Sequence, residues 1–405
     1  MLKSKLFKEV QNDVLKAFQE EIPSIYYSDK SEKEFLNWKK TMDYMYHDRM
    51  NFPPKMFNNQ KLLDFGAGTG ENTVYFENWG AKCTLVEMNN KAHEISKDIF
   101  AKYANDIYEH TFVLSSIFDY ESAEKYDIVH SRGVFAHTND PQVAFSKLAS
   151  FLKPGGYLIY GDGNKSGNFQ NMLQRMIIFR FADNWDDMVE VAETLFKEDL
   201  DRAQQFANRT RRCIIFDKWV VPRLTNPSVS EVLNWFADNN IKLYSSYPPI
   251  IPAVLSDSLH HKPKFYPQHN FDIGAFTESL WMIYNREDSQ EVPKILETFR
   301  NLSTAQYALT DYIDDYNLDT VTNLDTFNNK IDKYQESLTA LDLTSHLKKR
   351  SSVFLEEVKS ILDLIEKGNL DNLKNYIDQA TELFRGGNGV RHIDFIGYKV
   401  EEELK

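Results

Sequence analysis

The sequence predicts an α/β protein: a doubly wound, mostly parallel sheet with an N-terminal helical collar, a helical insertion after the fifth strand and an α-helical C-terminal region. Three observations predict it. Between residues 61 and 164, short apolar runs at 62–65, 83–86, 111–114, 127–129 and 157–160 alternate with helical stretches, the pattern of parallel strands covered by helices on both faces. The first run passes directly into a glycine-rich turn, Gly66-Ala67-Gly68-Thr69-Gly70, and then into a helix. Outside this region apolar residues recur at three and four residue steps, which is the helical period.

Taken in order, residues 1–60 form a helical collar or lid. Phe35, Trp38, Met42, Met45 and Tyr46 keep the helical step until Pro53 and Pro54 interrupt it. Residues 61–164 are the core just described. Residues 165–225 are an insertion above the sheet: 165–212 reads as helical, rich in Phe, Met and Arg, and 213–221 reads as strand-like. Residues 226–287 are expected to complete the sheet. There Ser228 and Glu231 make a capping box, each side chain satisfying a free amide at a helix start, and 241–247 reads as a strand. Residues 288–405 turn to helical hairpins. Leu324, Phe327, Ile331, Tyr334, Leu338 and Leu341 keep the helical step, as do Phe354, Val358, Ile361 and Ile365. Gly368 with Asn369 stops one helix, and Gly386 with Gly387 another. These helices either pack on their own chain or offer a homodimer surface. Alternation of Val390, Ile393, Phe395 and Tyr398 marks the last stretch as ordered.

The bulk numbers set limits on function. At 405 residues the chain exceeds one ordinary small core. Its 42% hydrophobic and 26% charged content is that of a folded protein. A net charge of -13 repels polyphosphates, so a nucleic-acid partner is not expected. Cys83 and Cys213 have neither the spacing of a metal site nor the density of a disulfide framework, which fits a reducing cytoplasm. No apolar run approaches the roughly 20 residues that span a bilayer, and no export signal is visible, so no membrane partner is expected.

The glycine turn is the strongest local signal. Glycines let the backbone approach a ligand and take positive φ without a clash. The spacing Gly66-x-Gly68-x-Gly70 departs from the dinucleotide fingerprint and lacks the Lys-Ser/Thr ending of a phosphate loop. Glu87 ends the second run about 20 residues later, where a carboxylate accepts hydrogen bonds from both hydroxyls of a ribose. The plain alternative is a surface glutamate.

In their order, 62–71, Val86-Glu87, 126–129, Gly133-Val134-Phe135 with His137, and 152–156 resemble the motifs of the class I S-adenosylmethionine-dependent methyltransferases. The resemblance covers about 60–165. It implies a Rossmann-like, seven-stranded sheet of order 3-2-1-4-5-7-6 with the cofactor across the strand carboxyl ends. It further implies that Gly66, Ala67, Gly68 and Gly70 wall the methionine end of S-adenosylmethionine and Asp64 orients its amino group. Glu87 would hold the ribose and Met88 pack on adenine. Where many relatives carry an aspartate for the adenine amino group, this chain has Ser116 and Ile117, with Asp119 as the alternative. Ser131, with His130 and Arg132, would stand where the sulfonium methyl emerges, and S-adenosylhomocysteine would be the product.

Methyl transfer from a sulfonium is an in-line displacement in which the enzyme aligns the nucleophile and, where needed, removes a proton. His137, after the fourth strand, and Asp162, after the fifth, are the candidates for that proton. Either can equally be a packing or capping residue. Gln170, Gln174, Arg175, Arg180, Arg211 and Arg212 of the insertion could grip an anionic or sugar acceptor, or be ordinary helix charges. Asp217-Lys218-Trp219 resembles the segment that closes over the acceptor in many small-molecule relatives. Tyr247-Pro248-Pro249 and Phe52-Pro53-Pro54 have the wrong order for an amine-presenting loop and read as turns. The expected activity is methylation of O or N on a small polar acceptor such as a sugar. Methylation of protein or RNA, a scaffold using the same fold and, distantly, a nicotinamide-dependent dehydrogenase are the alternatives.

Overall fold

The computed structural model describes residues 2–23, 25, 32–206, 209–247, 250, 292–317, 324–341, 345–385 and 392–399. Seven strands form one sheet: β1 Lys61–Phe65, β2 Lys82–Glu87, β3 Thr111–Leu114, β4 Tyr126–Arg132, β5 Leu152–Gly163, β6 Ile241–Tyr247 and β7 His392–Lys399. Their spatial order is β3-β2-β1-β4-β5-β7-β6, the order that the motif resemblance implies. The first five are parallel, and β7 runs antiparallel to both β5 and β6. The strand order reverses between β1 and β4, and the crevice outside the strand carboxyl ends at such a switch point is where ligands bind.

Each face of the sheet is covered. On one side α5 Pro141–Ser150 and α10 Val229–Asp238 pack Phe145, Leu148, Trp235 and Phe236 against Tyr160 and Phe395. On the other, α2 Glu32–Tyr44, α3 Thr73–Asn78 and α4 Asn90–Tyr103 bury Phe35, Met42, Phe76 and Phe100. Tyr46, Phe57 and Phe76 interlock there, with Phe57 and Phe76 stacked at 4.9 Å and Tyr46 edge-on to both. Such ring pairs add about 0.5–1.5 kcal/mol each to the burial of their area. The capping box at α10 is present in full: Ser228 Oγ accepts from Glu231 N, and Glu231 Oε2 accepts from Ser228 N at 2.7 Å.

A third core lies above the crevice. It joins α1 Leu2–Glu20, the insertion helices α6 Phe169–Phe181, α7 Trp185–Leu195, α8 Lys197–Phe206 and α9 Arg211–Ile215, and the C-terminal helices α11 Val292–Asn317, α12 Leu324–Thr339, α13 Ser345–Lys367 and α14 Leu370–Gln379. Phe327, Ile331, Tyr334, Val358, Ile361 and Ile365 are buried in it. The periodic apolar positions of the C-terminal helices thus pack against this same chain. Gly368, at φ +66, closes α13, and Asn369 caps α14 by accepting from Asn372 N at 2.9 Å.

Three expectations are corrected. The strand-like run 213–221 is helical, the end of α9 followed by a π turn over Phe216–Val220. Ile214, Ile215, Phe216, Trp219 and Val220 are all buried; a short, wholly apolar run has no periodicity by which to tell a buried helix from a strand. The segment 226–287 does not complete the sheet alone. It supplies α10 and β6, while β7 comes from His392–Lys399, so 288–405 is not helical throughout. Phe395 and Ile396 are neighbours in sequence and both fully buried, as befits an inner strand covered on both faces. Residues 251–287, Pro248, Pro249, Gly386, Gly387 and Val390 lie outside the described residues. Among the described residues no helix is long and apolar enough to cross a membrane.

Candidate cofactor pocket and active site

The turn after β1 is held by the sheet. Gly66 N and Ala67 N donate to Val86 O at 2.9 and 3.2 Å, and Gly68 N donates to Glu87 Oε2 at 2.8 Å. Gly66 and Gly68 have φ of +72 and +57, the left-handed region that only glycine enters without strain. Glu87 also accepts from Asn89 N through Oε1 at 2.7 Å. Burial pushes the Glu87 carboxyl above the usual carboxylate range, against the opposing pull of the Asn89, Gly68 and Met88 amides. Three amides bear on a carboxylate that has about four acceptor sites, so it can still receive a ligand's hydroxyl.

Above this turn lies a cavity of about 350 Å³, within the range of small-molecule sites. Asp64, Gly66, Ala67, Gly68 and Glu87 form its floor, and Met88, Ser116, Ile117 and Phe118 one flank. The opposite flank is His130, Arg132, Gly133, Val134 and His137. Helix α1 makes the roof, presenting Gln11, Val14 and Phe18. It is tied to the sheet side by Asn89 Nδ2 to Phe18 O at 2.7 Å and Lys91 Nζ to Gln19 O at 2.8 Å. It is tied to the insertion by Arg212 to Glu20 and Glu21 at 3.2 and 2.9 Å.

His137 lines the cavity with its ring edge-on to Phe18 at 5.1 Å. Its Nδ1 lies 2.9 Å from Arg223 O. A carbonyl only accepts, so Nδ1 carries a proton, and in the neutral ring Nε2 keeps the lone pair.

The expected residues divide. Asp64, Gly66, Ala67, Gly68, Glu87, Met88, Ser116, Ile117 and His137 all line one cavity. Gly70, Ser131 and Asp162 are not among the lining residues. Gly70 lets α4 pack closely, since a Cβ there would sit 3.0 Å from Ser96 Cβ. Ser131 is fully buried and donates to Phe65 O at 2.9 Å. Asp162 accepts from Ala136 N at 2.9 Å and so anchors the turn that carries His137. Asp119 does not line the cavity either; Ser116 does, its hydroxyl accepting from Phe118 N at 3.1 Å.

None of the six insertion residues singled out from the sequence lines the cavity. Gln170 accepts from Phe384 N, Gln174 donates to Asp199, and buried Arg175 donates to the carbonyls of Trp219, Val221 and Pro222. Arg211 and Arg212 pair with acids of the collar and insertion. Arg209 and Asp217 do reach the cavity, joined to each other at 2.9 Å. Sequence reasoning missed Asn72, which lines the cavity and accepts from Trp38 Nε1 at 2.9 Å, and it missed the roof residues. Asn72 carries no signal beyond following the glycine turn, and Gln11, Val14 and Phe18 none beyond lying on an amphipathic helix.

A seven-stranded sheet in this order, with an acid on β2 latched to the glycine turn of β1, is the arrangement that the motif resemblance to class I methyltransferases implies. Residues 38–203 match the family model described as a methyltransferase domain. The ubiquinone biosynthesis O-methyltransferase of Vibrio vulnificus is 27% identical over 109 residues, which cover 26% of this chain and 45% of the relative. The malonyl-(acyl-carrier protein) O-methyltransferase 2 of Ilyobacter polytropus is 26% identical over 111 residues, 27% of this chain and 41% of the relative. The chain therefore spans less than half the length of these curated relatives. Among solved structures, the magnesium protoporphyrin IX methyltransferase of Synechocystis PCC 6803 is 18% identical, covering 31% of this chain and 59% of that one, with a TM-score of 0.25. So partial a likeness adds nothing to the fold described above.

Proposed function

We propose that this chain is an enzyme that moves a methyl group from S-adenosylmethionine to an oxygen or nitrogen of a small polar acceptor. The observation that carries this reading is the Gly68–Glu87 latch beneath a roofed cavity. The residues present fit the cofactor. A side chain at Gly66 would collide with Val134, so the turn is open only as backbone. Asp64 and Glu87 offer acceptors to an ammonium and a ribose, and Met88, Ile117 and Phe118 make an apolar slot for a flat ring. The bound cofactor supplies an activated methyl on a cationic sulfonium.

The chain's own residues do the rest. Glu87 and the turn hold the donor in one orientation, and α1 with Phe18 keeps water from the cavity. His137 Nε2 takes the proton from the acceptor hydroxyl or amine as it attacks, its tautomer set by the bond to Arg223 O. Arg209 and Asp217, at the insertion end, face the acceptor with one charge of each sign and favour a polar molecule. Helices α11 to α14 brace the insertion from outside.

Calorimetry with S-adenosylhomocysteine tests the first half. We expect binding by the wild type and a loss of at least about tenfold in Glu87→Ala, the worth of a hydrogen bond to a charged group. No binding by the wild type would overturn the reading. Labelled S-adenosylmethionine incubated with small-molecule extract, protein and RNA tests the second half: label in the extract fraction is expected, and label confined to polypeptide or RNA would move the acceptor class.

A further inference from the structure

We propose that His130, backed by Tyr46, is a positioning residue that fixes the carboxylate of Asp64 for the amino group at the methionine end of the cofactor. The inference rests on the cofactor reading above and adds to it two residues that no part of that reading uses. Four side chains form a connected buried chain. Tyr46 OH lies 3.2 Å from His130 Nε2, His130 Nδ1 lies 2.7 Å from Asp64 Oδ1, and Thr73 Oγ1 donates to Asp64 Oδ2 at 2.5 Å. Relative exposures are 0% for Tyr46 and Thr73, 4% for His130 and 3% for Asp64. Water therefore does not share these bonds, and the roles of donor and acceptor must be consistent along the chain.

Burial pushes the Tyr46 phenol far above its usual range, so the phenol keeps its proton. A carboxylate oxygen only accepts, so Nδ1 donates to Asp64. With a neutral ring the chain then has one assignment: the phenol donates to Nε2, and the ring proton stands on Nδ1. Each Asp64 oxygen has one protein donor and one or more free acceptor positions, and Asp64 lines the cavity beside Gly66. His130 itself is locked from the far side by Phe76, ring to ring at 4.9 Å. The segment that carries it pairs with β1 so that Asp64 and His130 sit side by side. The two protein donors aim the buried carboxylate in one direction; without the histidine it would lose both a donor and its orientation.

The test compares two ligands by calorimetry on the full chain. S-adenosylhomocysteine has the amino-acid end, and 5′-methylthioadenosine has the same adenosine and thioether without it. In His130→Leu we expect the dissociation constant for S-adenosylhomocysteine to rise by about tenfold, and that for 5′-methylthioadenosine to stay within about twofold. His130→Asn, whose amide can replace Nδ1 as donor to Asp64, should recover most of the difference. Equal weakening of both ligands, or of neither, overturns the proposal. Should His130→Leu fail to fold, the same ratio is read on Tyr46→Phe, where a rise of about threefold supports the proposal and an unchanged ratio overturns it. If the wild type binds neither ligand, the cofactor reading fails instead, which is a distinguishable result.

Discussion

Arg132 on β4 and Asp394 on β7 form a bidentate ion pair across β5, reaching each other over Gly161. Arg132 Nη2 donates to Asp394 Oδ2 at 3.0 Å, and Nε donates to Oδ1. Gly161 is the register partner of both residues, and its lack of a side chain leaves the path open. The pair is largely buried, and Arg132 lines the cavity.

Breaking this pair leaves one charge with poor solvation. Asp394→Ala should cost about 2 kcal/mol of stability in chemical denaturation, between the values for surface and buried pairs. Arg132→Met combined with Asp394→Leu should recover most of it, because an apolar pair of similar volume removes the uncompensated charge. An additive double variant would show that the two residues do not interact energetically.

Two glycines of the cavity should respond differently to the same change. Gly66 has φ +72, and an added Cβ would lie 2.5 Å from Val134 Cγ2; Gly133 has φ +69 and nothing within 4 Å. Gly133→Ala should therefore cost only the backbone strain of about 1–2 kcal/mol. Gly66→Ala should cost more and abolish cofactor binding as well. Comparable denaturation midpoints for the two variants would contradict the close approach of Val134.

Burial raises the Glu87 carboxyl, and the sign of the effect is specific. The proton is retained to higher pH than on an exposed glutamate, so affinity for S-adenosylhomocysteine should begin to fall, on acidification, above the ordinary range near 4.3. For the empty protein the linkage has the opposite sense: a raised folded value means stability declines as pH rises from the unfolded value through the raised one. Calorimetry across a pH series should show the loss in the wild type and a flat profile in Glu87→Gln. Identical profiles would remove Glu87 from the ribose role.

Both thiols are expected to be inert in the folded protein. Cys213 is pushed up to about 12 by burial, and Cys83 is raised well above its usual value by the same cause. The thiolate is the nucleophile, so neither should be alkylated by iodoacetamide at pH 8 until denaturant is added. Stoichiometric labelling of a native cysteine, read by mass spectrometry, would count against the packing described around α9 or β2.

The sheet was legible where strand, turn and acid occur in a fixed order. From Leu62 to Gly156 the apolar runs, the glycines and Glu87 each report a local requirement of the backbone, and nine of the twelve expected site residues meet at the cavity. Ser131 and Asp162 lie off the cavity lining, and a sequence places a residue at the end of a strand without showing which way it is turned. Both spend their oxygens on the backbone of neighbouring segments. The place of the insertion arginines was open for a related reason: Arg175 is buried and crosslinks three carbonyls, which no spacing announces. Phe395 reads as ordered with Val390, Ile393 and Tyr398 but not as part of an inner strand, since eight residues after a long helical stretch carry little pattern of their own.

The origin of β7 has a consequence for how the protein is made. Its two neighbours, β5 and β6, leave the ribosome well ahead of it, with the whole set of α11 to α14 emerging in between. During that interval the nascent sheet has a raw hydrogen-bonding margin on each side of a gap, the kind of surface that recruits foreign strands. Final closure depends on contacts distant in the chain, which form slowly. Shortened versions that stop after β6 should therefore be prone to clump, although they retain every motif of the cofactor crevice.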